Sequence, residues 1–410
     1  MKLLQVDTLE AAREKLLGAC SGRKLRTGRL PLEQAFGRIL AEDIVAGEAI
    51  PSFRRSSVDG YAVRSADTAG ATESIPVFLE IVEDVAAGQE AISEIRPGMC
   101  AYVPTGGMIP KGADAMVMVE YTELFDENHV AVYASAAFGQ SVVQQGEDVT
   151  EGRILLPRGK AIGPAQAGAL AAAGIREVAV YIPWRVSIIS TGDELVSVEE
   201  KPRPGQVRDI NTWSLSAYAV QMGMQVMRTC VIRDEEDLLL AAVQESEKDS
   251  DLVLVSGGSS QGKKDATNDV LDRVSDGGVF THGLALKPGK PTILGFDRES
   301  ETLLAGLPGH PTAALTVFQL LLVWLWRELT GEGHPAAVTA SMKSNLASAP
   351  GKTTCVLVQL KEEDGGYTAE PILGKSGLIT TMAEADGYIL IDMNREGLKK
   401  GETVRVFCFQ

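Results

Sequence analysis

The chain has no C-x-x-C pair, no apolar run of bilayer length, no secretory signal and no surplus of positive charge. Its five cysteines (Cys20, Cys100, Cys230, Cys355, Cys408) are scattered and odd in number. That excludes a disulfide framework or a cysteine-rich zinc site and points to a reducing compartment. The longest apolar stretch, A-A-L-T-V-F-Q-L-L-L-V-W-L-W at 313–326, is interrupted by Gln319. It falls short of the roughly 20 residues a membrane span needs, so it predicts a buried helix and no membrane partner. The opening M-K-L-L-Q-V-D-T has no apolar h-region, and the expected location is cytoplasmic. A formal net charge of −16 argues against nucleic-acid binding, which needs a basic face. An anionic ligand would have to be held locally, by helix N-termini, backbone N–H groups, a few placed lysines or a metal bridging to carboxylates.

What is present is an ordinary globular composition, 45% hydrophobic and 23% charged, over 410 residues, which predicts two to four domains. Apolar residues at helical spacing over 9–17 and 32–40 predict a helical N-terminal arm. From about 75 to 142 short β-type runs such as V-F-L-E-I-V and A-M-V-M-V alternate with Gly and Pro turns, a compact β-rich module. Residues 152–183 return to helix, with Pro164 suited to a first helical position and Gly174 to a C-cap. The β-rich module therefore reads as an insertion. The expected boundaries are 1–53 with 147–183 for the arm and 54–146 for the insert. Between 184 and 331, strands R-V-S-I-I-S, Q-V-M-R-T-C and D-L-V-L-V-S alternate with amphipathic helices, one beginning near Asp234 with Asp237 as a weak capping box. This predicts an α/β fold, a doubly wound and mostly parallel sheet. Four short alternating runs over 332–410 predict a small β barrel or sandwich.

Polar groups collect at the predicted strand ends. D-L-V-L-V-S runs into S-G-G-S-S-Q-G-K-K-D (256–265), where Ser256, Gly257, Gly258, Ser259 and Gly262 would let backbone N–H groups approach a phosphate. From the glycines alone a tight β–α turn explains the loop as well. R-V-S-I-I-S ends in T-G-D-E-L (191–195), the next strand ends in Arg233 and Asp234, and K-P-G-K-P (287–291) precedes another apolar run. Singly, Asp234 suits a turn or cap. Together, Glu194, Asp234 and Asp265 form a candidate catalytic and metal-binding set, with Lys287 and Lys290 opposite. Carboxylates beside phosphates make sense around a hard divalent cation, so Mg2+ is the expected cofactor. G-L-P-G-H-P (306–311) opens the apolar helix, with Pro308, His310 as N-cap and Pro311 in the first turn aimed at an anion or simply forming a rigid turn. Upstream, Asp59 in D-G-Y-A and Asp148 in G-E-D bracket the insert, which contains Thr105 in V-P-T-G-G; Asp59 suits a turn residue equally well.

In this order, S-x-x-D-G-Y-A-V, P-T-G-G, G-E-D, S-T-G-D-E-L, R-D, S-G-G-x-S-x-G-x-x-D, K-P-G-K-P and G-L-P-G-x-P closely resemble the molybdopterin molybdenumtransferase family, bacterial relatives of the gephyrin E domain. The likeness spans about residues 5 to 408. It implies a four-domain homodimer that binds adenylylated molybdopterin and molybdate at a subunit interface, releases AMP in a metal-dependent step and moves molybdenum onto the dithiolene. It also implies that Asp59, Thr105, Asp148, Glu194, Asp234 and Asp265 are functional, that Lys287 and Lys290 contact anions, and that Pro308 and Pro311 shape the molybdate side. Two departures bear on molybdate affinity. Many relatives have arginines where this chain has V-V-Q-Q at 142–145, and some have a lysine where it has Gly283. A charge lost from a desolvated oxyanion site is worth on the order of a few kcal/mol. Asparagine, where relatives often have it, is here His310, which can also donate a hydrogen bond. A carrier of the same fold with weakened turnover, or a nucleotide-pyrophosphate hydrolase, are the rival readings. D-G-Y-A and G-E-D speak against the hydrolase.

Overall fold

The computed structural model describes residues 6–257, 266–363, 365–374 and 377–409. They form two compact units. One holds residues 30–36 and 42–178; the other holds the N-terminal helix Leu9–Cys20, residues 37–41 and the chain from 179 onward.

The first unit is organised by a six-stranded sheet in the order Ala115–Met118, Gly60–Val63, Met99–Val103, Val77–Asp84, His129–Val132, Thr122–Leu124. Gly60–Val63 is buried at every position because it sits between two antiparallel neighbours and is covered on both faces. Tyr61 and Val63 point into one core with Leu79 and Val117, while Ala62 points into the other with Val103 and Met116. The glycine of D-G-Y-A is required by packing: a Cβ at Gly60 would lie 2.0 Å from the Val117 carbonyl oxygen. Helix Pro164–Ala172 begins with its proline in the first turn, and Gly174 follows with φ +68°. The helix expected over 32–40 does not form. Only a 3-10 turn at Leu32–Gln34 appears, Phe36 is 66% exposed, and Gly37 turns the backbone left-handed at φ +74°. Beyond that turn Leu40 bridges Val180 antiparallel, so Ile39 and Leu40 are buried from extended backbone and not from a helix face.

In the second unit the sheet order is Gln225–Ile232, Arg185–Thr191, Leu252–Gly257, Thr302–Leu307, Ile293–Asp297, Thr281–His282. The first four strands are parallel and the last two antiparallel, so the mostly parallel, doubly wound sheet is present. Period-2 alternation explains its two covered faces: Leu252 and Leu254 join one core, Val253 and Val255 the other. The helix after Gln225–Ile232 starts at Glu236, two residues later than expected, and no side chain caps it; Asp234 is engaged elsewhere. The C-terminal part is a closed five-stranded barrel, Thr353–Glu363, Gly366–Pro371, Val338–Met342, Thr403–Cys408 and Gly387–Ile391, the last returning to pair with Thr353–Glu363. Its fifth strand, V-T-A-S-M, went unread in the sequence because its residues are mostly small or polar.

The helix carrying this apolar stretch runs from Pro311 to Thr330, longer than the 313–326 run read from the sequence and enough by length and composition to cross a membrane, yet 78% of its apolar window is buried inside the protein. It is the core helix of the unit: Phe318, Leu321 and Leu322 are fully enclosed, and Trp326 meets Trp184 edge-on at 5.3 Å. Trp326→Ala should therefore cost about 3–5 kcal/mol, read as a lowered denaturant midpoint for this unit. A loss under about 1 kcal/mol would mean that the site collapses around the gap.

Candidate functional site

The carboxyl ends of the four parallel strands deliver their loops to one edge of the sheet, the position where open α/β sheets bind ligands. Between that edge and the barrel lies a cleft of about 1300 Å³. Glu194 and Asp234 both line it, as do Ser256, Gly257, Lys287, Lys290, Pro308, His310 and Pro311. Segments scattered over more than a hundred residues of sequence thus meet around one space.

Each is held by identifiable forces. Thr191, the last residue of its strand, donates its hydroxyl to Asp234 Oδ1 at 2.5 Å and so fixes that carboxylate at the end of the neighbouring strand. A turn closed by Leu195 N–H to the Gly192 carbonyl (3.2 Å) holds Glu194 in the same cleft, and Val207 N–H donates to the Glu194 carbonyl at 2.9 Å. Gly257 is opposite Thr191 in the ladder, with φ +118°, and a Cβ there would lie 2.0 Å from the Thr191 carbonyl oxygen. Only glycine lets the strand leave the sheet at this point. Leu286–Lys287, also lining the cleft, forms a short parallel ladder with Thr353 and Thr354 of the barrel. The cationic loop is anchored to the barrel as well as to the sheet. His310 occupies the N-cap position and Pro311 the first position of the core helix, as expected, although no cap bond from the His310 side chain forms.

Three cleft residues escaped the sequence reading. Asn211 opens a helix (Asn211–Gln221), is only 7% exposed, and donates from Nδ2 to Ser256 Oγ (2.6 Å) and to the Gly309 carbonyl (2.9 Å), joining the strand end at 256 to the turn before the core helix. Its Oδ1 is buried without a partner among the described residues. Next to it, the buried Asp209 accepts from Ser190 Oγ at 3.0 Å and from Thr212 N–H at 3.2 Å. Lys352 adds a third ammonium group from the barrel side. The D-I-N sequence at 209–211 is the only local hint for the first two, and it reads as a helix cap. Lys352 follows a Gly turn and carries no signal of its own.

Asp59, Thr105 and Asp148 belong to the other compact unit and are not among the residues lining this cleft. Asp59 Oδ1 accepts from Thr105 N–H at 2.8 Å, so the exposed Asp59, just ahead of the buried strand Gly60–Val63, is tied to the exposed Thr105 of P-T-G-G. Asp148 is exposed in a turn whose N–H groups bond back to the Ile50 and Pro51 carbonyls. Of the V-V-Q-Q segment, Val142 and Val143 pair in a ladder with Ser56 and Arg55. Gly283 has φ +103°, so a lysine at this position would be strained on this backbone. Gly258, Ser259, Gly262 and Asp265 lie outside the described residues. Among the described residues no group of three or more acidic, His or Cys side chains gathers as a metal site. The pair Glu194 and Asp234 still offers the hard oxygen donors that magnesium takes, commonly one or two carboxylates completed by substrate phosphates and water.

Comparison with known proteins now adds to this geometry. The α/β domain, residues 187–327, matches the family model described as "Probable molybdopterin binding domain". Residues 7–174 match "MoeA N-terminal region (domain I and II)" and 339–409 match "MoeA C-terminal region (domain IV)". The chain belongs to the molybdopterin molybdenumtransferase family. It is 32% identical over 388 residues to the molybdopterin molybdenumtransferase of Bacillus subtilis (92% of this chain, 89% of the relative). It is 31% identical over 407 residues to that of Haemophilus influenzae, covering 98% of each. The crystal structure of a molybdopterin biosynthesis moeA protein from Pyrococcus horikoshii OT3 superposes with TM-score 0.84 at 28% identity, over 99% of this chain and 100% of that one.

The contact at Gly257 yields a direct test. Gly257→Ala should destabilise the second unit by about 1–3 kcal/mol, the range for one residue forced into a disfavoured backbone region. Thermal unfolding at the wild-type temperature would show that the strand end is free to move.

Proposed function

We propose that this protein completes the molybdenum cofactor: it binds adenylylated molybdopterin and molybdate, releases AMP in a magnesium-dependent step and transfers molybdenum to the dithiolene sulfurs. The observation that carries the reading is that one cleft is lined both by the strand-end carboxylates Glu194 and Asp234 and by the lysines Lys287, Lys290 and Lys352. A pyrophosphate-linked substrate and a tetrahedral dianion both need positive charge, and a phosphate beside two carboxylates needs a cation between them. Bound magnesium would neutralise charge on the phosphoanhydride as it breaks.

The roles of the chain's own groups follow from their placement. Glu194 and Asp234 supply the metal's oxygen ligands, with Asp265 as the third candidate, and Thr191 holds the Asp234 carboxylate in orientation. The lysines attract and seat the oxyanions. Gly257 allows backbone N–H groups to come close to a phosphate, and Pro308 and Pro311 stiffen the turn at the helix start. Asp59, Thr105 and Asp148 would complete the site from a second subunit, which makes the active species a homodimer. Five free cysteines among the described residues support a reducing, cytoplasmic setting.

Purified protein supplied with adenylylated molybdopterin should release AMP faster with magnesium and molybdate together than with either alone. Asp234→Asn should lower that rate on the order of a hundredfold, the several kcal/mol that metal stabilisation contributes. AMP release indifferent to molybdate would replace this reading with a pyrophosphate hydrolase; tight binding without turnover would make the protein a carrier. The shared site has its own test. Equal amounts of Asp59→Ala and Asp234→Ala, unfolded and reassembled together, should regain about a quarter of wild-type activity, because half the two-fold dimers are mixed and each mixed dimer has one intact site. No recovery would place both residues in one subunit's site.

A further inference from the structure

The core helix Pro311–Thr330 is not regular. Between its α-helical segments Pro311–Val317 and Trp324–Thr330 lies one wide π turn, Phe318–Val323. A π turn accommodates an extra residue, which rotates everything beyond it by about 100° and disturbs the usual carbonyl pairing. Three parts of the second unit converge on it. From the N-terminal helix, Arg13 donates both Nε and Nη2 to the Leu320 carbonyl, at 3.1 and 2.9 Å, and its guanidinium lies 4.7 Å from the Trp324 ring centroid. From the barrel, the Tyr388 hydroxyl is hydrogen-bonded to the side chain of Gln319, the polar residue that breaks the apolar run. Tyr388 is itself stacked on Phe407 at 5.4 Å. From the helix that starts at Asn211, Tyr218 meets Phe318 at 5.2 Å.

Neither Arg13 nor Gln319 takes part in the cleft chemistry, and both are polar groups placed where an apolar helix would be simpler. Burial lowers the Arg13 pKa, a sign of a cation only partly compensated by the more distant Glu10, Tyr388 and Glu328. A guanidinium is held there by geometry: its planar fork matches one helix carbonyl and one ring face. Beside the turn is a void of about 10 Å³, lined by Thr316, Gln319, Leu320, Tyr388, Cys355 and Leu357 among others, and Cys355 and Leu357 also line the cleft. A single layer of side chains separates the π turn from the ligand space.

We propose that the π turn is the joint that seats the barrel on the α/β domain, with Arg13 as a positioning residue that holds the turn open so that Gln319 reaches Tyr388. The barrel wall that carries Lys352, Thr354 and Cys355 is then fixed relative to Glu194 and Asp234 by a residue outside the cleft. Without Arg13 the Leu320 carbonyl loses its donors, the turn relaxes, and the Gln319–Tyr388 bond lengthens. The seam opens at Cys355.

Cys355 reports on this seam without reference to catalysis. It is buried at 8% exposure, and burial pushes its thiol up to about 12, so alkylation in the intact protein is slow. Peptide-resolved iodoacetamide labelling of the full chain is the experiment. Arg13→Met and Tyr388→Phe should each raise the Cys355 rate at least tenfold, Arg13→Lys should raise it less, and the double variant should exceed the larger single effect by no more than twofold. Cys20, on the same helix as Arg13 and more deeply buried than Cys355, should label at the wild-type rate. Unchanged Cys355 labelling in both single variants overturns the proposal. So does a parallel rise at Cys20, which would mean that the N-terminal helix has melted, or a double variant whose effect is the product of the singles, which would make the two contacts independent. Tyr388→Phe removes one hydroxyl from a stacked ring and keeps the test available if Arg13→Met does not fold.

Discussion

A twenty-residue apolar helix cannot be left half-covered in water, and the second unit is built around that constraint. Burying Pro311–Thr330 on all sides requires more surface than one sheet face provides. The N-terminal helix contributes Leu9 and Leu16, the α/β sheet contributes Val186, Ile188 and Leu254, and the barrel contributes Cys355, Leu357 and Tyr388 to one continuous core. Regions far apart in sequence are thereby locked together, and the cleft is the space left where they diverge. Because the helix begins at that space with His310 and Pro311, its burial also fixes where its N-terminus points.

The chemistry of the cleft follows from parallel-strand topology combined with charge. Adjacent parallel strands end at the same edge, so a carboxylate following one strand and a carboxylate following the next become neighbours without any sequence proximity. Thr191 and Asp234 show how local the final adjustment is: a single hydroxyl at the end of one strand orients the acid at the end of the other. The opposing lysines come from outside that set of strands, on a loop tied to the barrel and on the barrel itself. The carboxylates follow parallel strands, while Lys287 and Lys290 sit on the loop between Thr281–His282 and Ile293–Asp297 and Lys352 on the barrel side.

Much of this was legible in the sequence, for physical reasons that also mark where reading fails. The parallel sheet was visible because its strands are nearly continuous apolar runs such as D-L-V-L-V-S, and the core helix because its composition admits little else. Glu194 and Asp234 could be named because each comes shortly after an apolar run, and Lys287 and Lys290 because K-P-G-K-P precedes one. The barrel was foreseen from four alternating runs, whereas V-T-A-S-M, the fifth strand, presents too little apolar contrast to announce itself. The false helix over 32–40 had suitable spacing, but Gly37 breaks it and Ile39 and Leu40 reach their burial from extended backbone beside Val180. Asn211 and Lys352 were missed because their importance comes from the partners they reach across the chain. The π turn was equally hidden: hydrogen-bond register inside a helix leaves no periodic trace, and Gln319 looked like a mere interruption.

The two-residue ladder between Leu286–Lys287 and Thr353–Thr354 has an implication for how such a protein can change over time. The start of a long barrel strand exposes a row of unpaired backbone groups, an invitation to a stray strand from another molecule. The lysine-bearing segment occupies that row using its backbone alone, leaving its side chains uncommitted to the pairing. Evolution is accordingly free to swap the charges that choose an anion, because the stitch that guards the barrel against aggregation never depended on them.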